Sequence, residues 1–113
     1  MLGTEFTRLV GCRIPIQQAG MAALANPELA AAVSEAGALG MVSVGGFPPE
    51  RVDEELHLVR QRTANPVGVN FLIPKIDSGN ASESLQCNDL DESVRVASKS
   101  ARVVEFFYRD PEP

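Results

Sequence analysis

The chain lacks several features that would assign it to a specialised class of protein. Its 113 residues include no tryptophan, one tyrosine, one histidine and two cysteines. Cys12 and Cys87 stand far apart, with no CxxC motif and no nearby histidine. They are therefore predicted to be free thiols in a reducing cytosol. No apolar run approaches the ~20 residues of a membrane span, and residues 1–8 lack the apolar segment of a signal peptide.

Positive charge is scarce as well. Ten Lys and Arg residues stand against 15 Asp and Glu residues, which gives a formal charge of −5. A nucleic-acid-binding protein needs a basic face, so this acidic chain is a poor candidate for that function, and no nucleic-acid partner is predicted. Neither a GxGxxG nor a Walker motif is present, and no Ser-His-Asp set or metal-ligand cluster is apparent. His57 is predicted to be a solvated helix residue with no catalytic role.

What the sequence does contain is an alternation of apolar strands and amphipathic helices. Strands are predicted to begin near residues 14, 39, 67 and 102. Helices are predicted from Asn26-Pro27, from Pro48-Pro49 and from about Asp89. The apolar face of the second of these helices is predicted to be Val52, Leu56 and Val59. This β-α-β-α-β-α-β order, with a period of about 25 to 35 residues, is typical of repeated strand–helix units with parallel strands. The fold class is therefore predicted to be α/β.

The first predicted helix has clear end signals. Asn26 suits the N-cap, Pro27 the first helical position, and Gly37 the C-terminal stop. The spacing of Leu29, Ala32, Val33 and Ala36 predicts the apolar face of this helix. Further along the chain, the polar stretch from residue 77 to residue 88 is predicted to be a mobile loop.

Ligands of parallel α/β proteins bind at the carboxyl ends of the strands. The residues predicted there are 17–21, 43–46, Asn70 and 108–109. Asn70 lies within an apolar run, so its amide is either satisfied in the core or directed at a ligand. Gln18 is either a solvated loop residue or a second ligand-binding amide. Gly20 and the pair at 45–46 are either ordinary turn glycines or positions where the backbone approaches a ligand closely.

Three strings together resemble the nitronate monooxygenase family, the 2-nitropropane dioxygenase-like flavoproteins. They are IPIQQAGM at 14–21, PELAAAVSEAGALG at 27–40 and PVGVNFLIP at 66–74. The segment VVEFF at 103–107 is similar to the family's fourth strand. Enoyl reductases of the same flavin-barrel group look much alike here, so an enoyl-reductase-like fragment is an alternative.

The resemblance implies the N-terminal half of a TIM (β/α)₈ barrel, with four strands and three helices, and residues 1–113 as one partial barrel domain. It implies FMN as cofactor and oxidation of alkyl nitronates by O₂. By carry-over, the loop Gln18, Ala19, Gly20 and Met21 would pass the flavin ring, with Met21 packing near it and Asn70 donating or accepting a hydrogen bond.

Residues 1–113 have no counterpart of the family's catalytic histidine or phosphate-binding glycine turns, so no catalytic residue and no metal ligand is assigned. A second hypothesis is therefore a truncated, non-catalytic half-barrel that acts as an association module. Open strand edges and an uncovered inner face predict self-association. The other expected partner is a small-molecule nitronate. Neither a nucleic acid nor a membrane is expected as a partner, and the predicted location is the cytoplasm.

Overall fold

The computed structural model describes residues 2–73 and 89–107, which form a parallel sheet flanked by helices. The strands run in the order β1-β2-β3, and each neighbouring pair is parallel. The α/β class and the parallel repeats are thus confirmed, as one side of a (β/α)₈ barrel. The elements are α1 (Glu5–Val10), a 3₁₀ turn (Ala22–Leu24), α2 (Pro27–Glu35), β1 (Gly40–Ser43), α3 (Pro49–Arg60), β2 (Val67–Leu72), α4 (Leu90–Ser98) and β3 (Val103–Phe107).

Three of the four predicted strands are formed, whereas the first is reduced to a single parallel bridge between Gln17 and Leu39. The main-chain N–H groups of Arg13 and Ile14 both donate to the carbonyl of Gly37, at 2.8 and 2.9 Å. Convergence of two successive donors on one acceptor bends the chain, and Pro15 has no N–H to contribute to a ladder. The segment therefore stays coiled until residue 16.

The helix-facing side of the sheet carries the main hydrophobic core. Alternate residues of each strand point to this side, as strand geometry requires. The apolar face predicted for α3, Val52, Leu56 and Val59, is fully buried there, so that prediction is confirmed. The remaining buried members of this core are Ala30, Val42, Val44, Val67, Val69, Phe71 and Ala97.

The apolar face predicted for α2 is wrong. Its buried residues are Pro27, Ala30, Ala31 and Ser34, whereas Leu29 is 37% exposed. The cause is the close approach of α2 to β1, where a side chain at Gly40 would collide with the backbone of Ala30. Only small residues fit such a contact, so size and not hydrophobicity selects the buried face. The predicted ends of this helix are confirmed: Asn26 Oδ1 accepts from the N–H of Leu29 at 2.9 Å, and Gly37 has a φ of +101°.

The opposite face of the sheet, called the inner face below, is filled by α1 near the amino ends of the strands. Val10 and Cys12 pack there with Leu39 and Met41. The sequence analysis did not predict α1, because six residues are too few to show a periodic pattern. Across residues 2–73 and 89–107, none of the helices has the length and apolar character needed to cross a bilayer.

Candidate functional site

A row of polar side chains crosses the inner face near the carboxyl ends of the strands. Ser43, Asn70 and Glu105 are register partners on β1, β2 and β3. The hydroxyl of Ser43 donates to Oδ1 of Asn70 at 3.4 Å, and Nδ2 of Asn70 donates to Oε2 of Glu105 at 3.1 Å. Parallel pairing thus aligns three polar groups that are 27 and 35 residues apart in the chain.

The Glu105 carboxylate also binds the bridge segment at the start of the fold. Nε2 of Gln17 donates to Oε1 of Glu105 at 3.1 Å, across 88 positions of sequence. Each carboxylate oxygen therefore accepts one amide N–H. Glu105 links the first segment to β2 and closes the polar row, which we define as Gln17, Ser43, Asn70 and Glu105.

Gln18 has a structural role that the sequence analysis did not anticipate. Its main-chain N–H donates to the carbonyl of Leu39 at 2.9 Å, which completes the isolated bridge. At the next step its side chain replaces the backbone: Nε2 donates to the carbonyl of Met41 at 3.0 Å, and Oε1 accepts from the N–H of Met41 at 3.3 Å. The ladder ends on a side chain, so the backbone of residues 19–21 is free to leave the sheet.

That departing backbone is brought against Asn70. A Cβ added to Gly20 would lie 2.6 Å from both Cγ and Oδ1 of Asn70, so only glycine permits this contact. Ala19 is exposed and Met21 is 40% exposed, and Ala22 turns the chain with a φ of +48°. The structure therefore brings together the residues assigned by resemblance: Gly20 lies directly on Asn70, with Ala19 and Met21 on either side of Gly20 in the chain.

The structure also shows what surrounds Asn70 and the two glycines at 45–46. Asn70 is 4% exposed, and among the described residues its side chain is bonded by two other side chains, Ser43 and Glu105. Gly46 has a φ of +74° and supports a turn, while Gly45 approaches Leu72, where an added Cβ would lie at 2.9 Å. Both glycines therefore have structural reasons that involve no ligand.

Glu105 is the site residue that sequence reasoning missed. It carried the same signal as Asn70, a polar residue inside the apolar run VVEFF. His57 is exposed on α3, and no group of three potential metal ligands occurs within the described part of the chain. The last predicted candidates, residues 108 and 109, lie outside the described residues.

A cavity of about 630 Å³ at the amino ends of β2 and β3 is lined by three cations, Arg60, Lys99 and Arg102. Both guanidiniums are bound by main-chain carbonyls. Arg60 donates to Ser100 at 2.8 Å, and Arg102 donates to the carbonyl of Leu9 at 2.6 Å. Partial burial lowers the pKa of Arg60 through desolvation. These contacts give the arginines a structural role at the end of the sheet opposite the polar row.

The sequence and the fold both match known proteins. The family model described as "Nitronate monooxygenase" matches residues 4–109. A curated protein named "Probable nitronate monooxygenase" from Staphylococcus aureus strain JH9 is 39% identical over 79 residues, which is 70% of this chain and 22% of that protein. Its counterpart in strain Newman matches to the same extent.

Two solved structures share the fold. FabK from Thermotoga maritima superposes with a TM-score of 0.76 at 33% identity, over 94% of this chain and 30% of that one. Nitroalkane oxidase from Streptomyces ansochromogenes superposes with a TM-score of 0.79 at 27% identity, over 96% of this chain and 37% of that one. The chain therefore spans about a fifth of the curated relatives' length, and about a third of these solved chains.

Proposed function

Because this chain belongs to the nitronate monooxygenase family, we propose that it forms part of an FMN-dependent oxidoreductase that oxidises alkyl nitronates with O₂. In this proposal, residues 1–113 are one partial barrel domain, and the inner face at the carboxyl ends of the strands is the flavin side. The substrate is a small-molecule nitronate. A cytoplasmic location stays a prediction.

One observation carries the proposal: Gly20 lies on the side-chain amide of Asn70. The segment 18–21 and Asn70 were assigned to the cofactor separately, from strings about 50 positions apart. Their contact was not required by the sequence pattern. An arrangement that left them at opposite ends of the sheet would have removed the basis for a shared ligand.

The residues present fit a flavin. A flat ring needs a backbone with little side chain above it. Gly20 has no side chain and Ala19 has only a methyl group. Met21 is 40% exposed and offers a polarisable apolar surface for ring contact. Asn70 offers a second amide N–H and a second carbonyl lone pair beyond the two hydrogen bonds that it makes. A bound flavin would supply the redox chemistry, and these residues would place it and exclude water.

Titration of the purified chain with FMN tests the proposal. We expect saturable quenching of flavin fluorescence. The Asn70→Ala variant is expected to weaken binding by about 1–3 kcal/mol, because it leaves a buried partner unpaired. Gln61→Ala is the matched control, since it removes an exposed amide from the end of α3. A chain that takes up no FMN would favour the association-module alternative instead.

We also propose that the chain self-associates. All five residues of β3 are only half-buried, and β3 is the last strand of the sheet that the described residues form. A half-buried strand at the edge of a sheet favours pairing with another chain. Sedimentation equilibrium is expected to give a mass above the 12.1 kDa of one chain. A monodisperse folded monomer would contradict this part of the proposal without bearing on the flavin.

A further inference from the structure

We propose that Glu105 is a positioning residue that fixes the orientation of the Asn70 side-chain amide, and so decides which end of that amide faces β1 and which faces β3. The inference rests on the proposed function only for the identity of the ligand. The orientation itself follows from the contacts within the polar row.

The two side-chain partners of Asn70 differ in whether they can discriminate between the NH₂ group and the oxygen of its amide. A hydroxyl both donates and accepts, so Ser43 at 3.4 Å is compatible with either orientation. An ionised carboxylate only accepts. Oε2 of Glu105, 3.1 Å from the amide, therefore requires an NH₂ group in front of it. Of these two partners, Glu105 is the one that selects the orientation, with Nδ2 of Asn70 toward β3 and Oδ1 toward β1.

Glu105 is itself held in place. The parallel register keeps it beside Asn70, and Gln17 donates to its other oxygen at 3.1 Å. Within the described ranges no lysine or arginine forms an ion pair with Glu105. Among the described residues, its two side-chain partners are the amide N–H groups of Gln17 and Asn70. Its role in the row is therefore to accept hydrogen bonds from amides.

This orientation has a consequence for the ligand. Gly20 leaves no space for a side chain on Asn70 and presses closest to Cγ and Oδ1. The amide that a ligand would meet is therefore fixed, with its NH₂ group toward Glu105 on β3 and its oxygen toward Ser43 on β1. A flavin carries carbonyl acceptors and an N–H donor, so the fixed amide determines which of them is paired.

Nuclear magnetic resonance of the ¹⁵N-labelled chain without cofactor tests the orientation. We expect one pair of Asn70 Nδ2 proton signals, with Overhauser contacts to the Glu105 side chain. The Glu105→Gln variant presents both a donor and an acceptor to Asn70, so its signals are expected to double or to average. Ser43→Ala is the control and is expected to keep a single pair.

Unchanged Asn70 signals in Glu105→Gln would overturn the proposal, and so would doubling caused by Ser43→Ala. If Glu105→Gln does not fold, the wild-type spectrum decides alone: absence of contacts between the Nδ2 protons and Glu105 refutes the orientation. With FMN, Glu105→Gln is expected to weaken binding about tenfold, as loss of one positioned hydrogen bond implies. If the wild-type chain does not bind FMN, the proposed function is refuted, but the orientation of Asn70 derived from its Nδ2 proton signals is unaffected.

Discussion

Replacing Gly40 with alanine is expected to force α2 away from the sheet. An added Cβ would lie 1.9 Å from the carbonyl oxygen of Ala30, 2.6 Å from its carbonyl carbon and 2.8 Å from its Cα. All three are backbone atoms, so no side-chain rotation relieves the collision. Ordinary van der Waals contact begins at 3.4 Å, so the helix must retreat by about 1.5 Å, the difference between 3.4 and 1.9 Å.

The loss of stability can be estimated from the packing contacts and the hydrogen bond that this displacement of α2 would disrupt. A radial gap of about 0.5–1 Å already forfeits a quarter to a half of each dispersion contact, and overpacking of a core typically costs about 1–3 kcal/mol. The buried N–H of Gly40 also donates to Oγ of Ser34 at 3.1 Å, and stretching that bond adds about 1 kcal/mol. We therefore expect Gly40→Ala to lower the free energy of unfolding by about 2–4 kcal/mol.

Urea unfolding followed by circular dichroism measures this loss. Gly3→Ala is the matched control, because an added Cβ there meets nothing within 4 Å. Gly68→Ala is expected to fall between the two, since the nearest atom is Sδ of Met41, which belongs to a flexible side chain. A loss below about 1 kcal/mol for Gly40→Ala, with an unchanged denaturant slope, would refute the reasoning.

Three further predictions concern other contacts. Gln18→Leu removes both side-chain hydrogen bonds to the Met41 main chain and is expected to lower the free energy of unfolding by about 1–3 kcal/mol. Hydrogen exchange at the Met41 amide should become faster, and unchanged exchange would contradict the role of Gln18. Ser34→Ala is expected to cost about 1–3 kcal/mol in urea, because its buried hydroxyl joins β1 to the carbonyl before β2; equal stability would mean that water replaces it. Gly20→Ala is expected to raise the dissociation constant for FMN about tenfold or more by displacing Asn70, measured by fluorescence; unaltered affinity would separate this contact from the cofactor.

The sequence was sufficient for the parts of the fold that rest on local chemistry. The cap at Asn26, the stop at Gly37 and the buried face of α3 all follow from one short stretch of chain each. The face of α2 was wrong because it depends on a distant glycine, Gly40, that lets two backbones meet. The first strand was overestimated for the same reason: the Gly37 carbonyl that bends it lies outside its own segment.

The candidate site divides in a similar way. Asn70 was recognisable because an amide in an apolar strand needs a partner. Its partners were not, since Ser43 and Glu105 become its neighbours only through the register of three strands. Gln18 was predicted to be either a solvated loop residue or a ligand-binding amide, and neither prediction included the bonds of its side-chain amide to the Met41 backbone. A side chain that makes the hydrogen bonds of a strand backbone leaves no periodic signal in the sequence.

Because side chains alternate along the strands, the residues that pack against the helices and the residues of the polar row occupy different positions and can be substituted separately. Position 42 of β1, position 44 just after this strand, and positions 67, 69 and 71 of β2 are buried beneath the helices. Their immediate neighbours Ser43 and Asn70, with Glu105 beyond them, face the other way. A library randomised at these three codons alone would sample new ligand preferences while every hydrophobic anchor of the helices keeps its native identity.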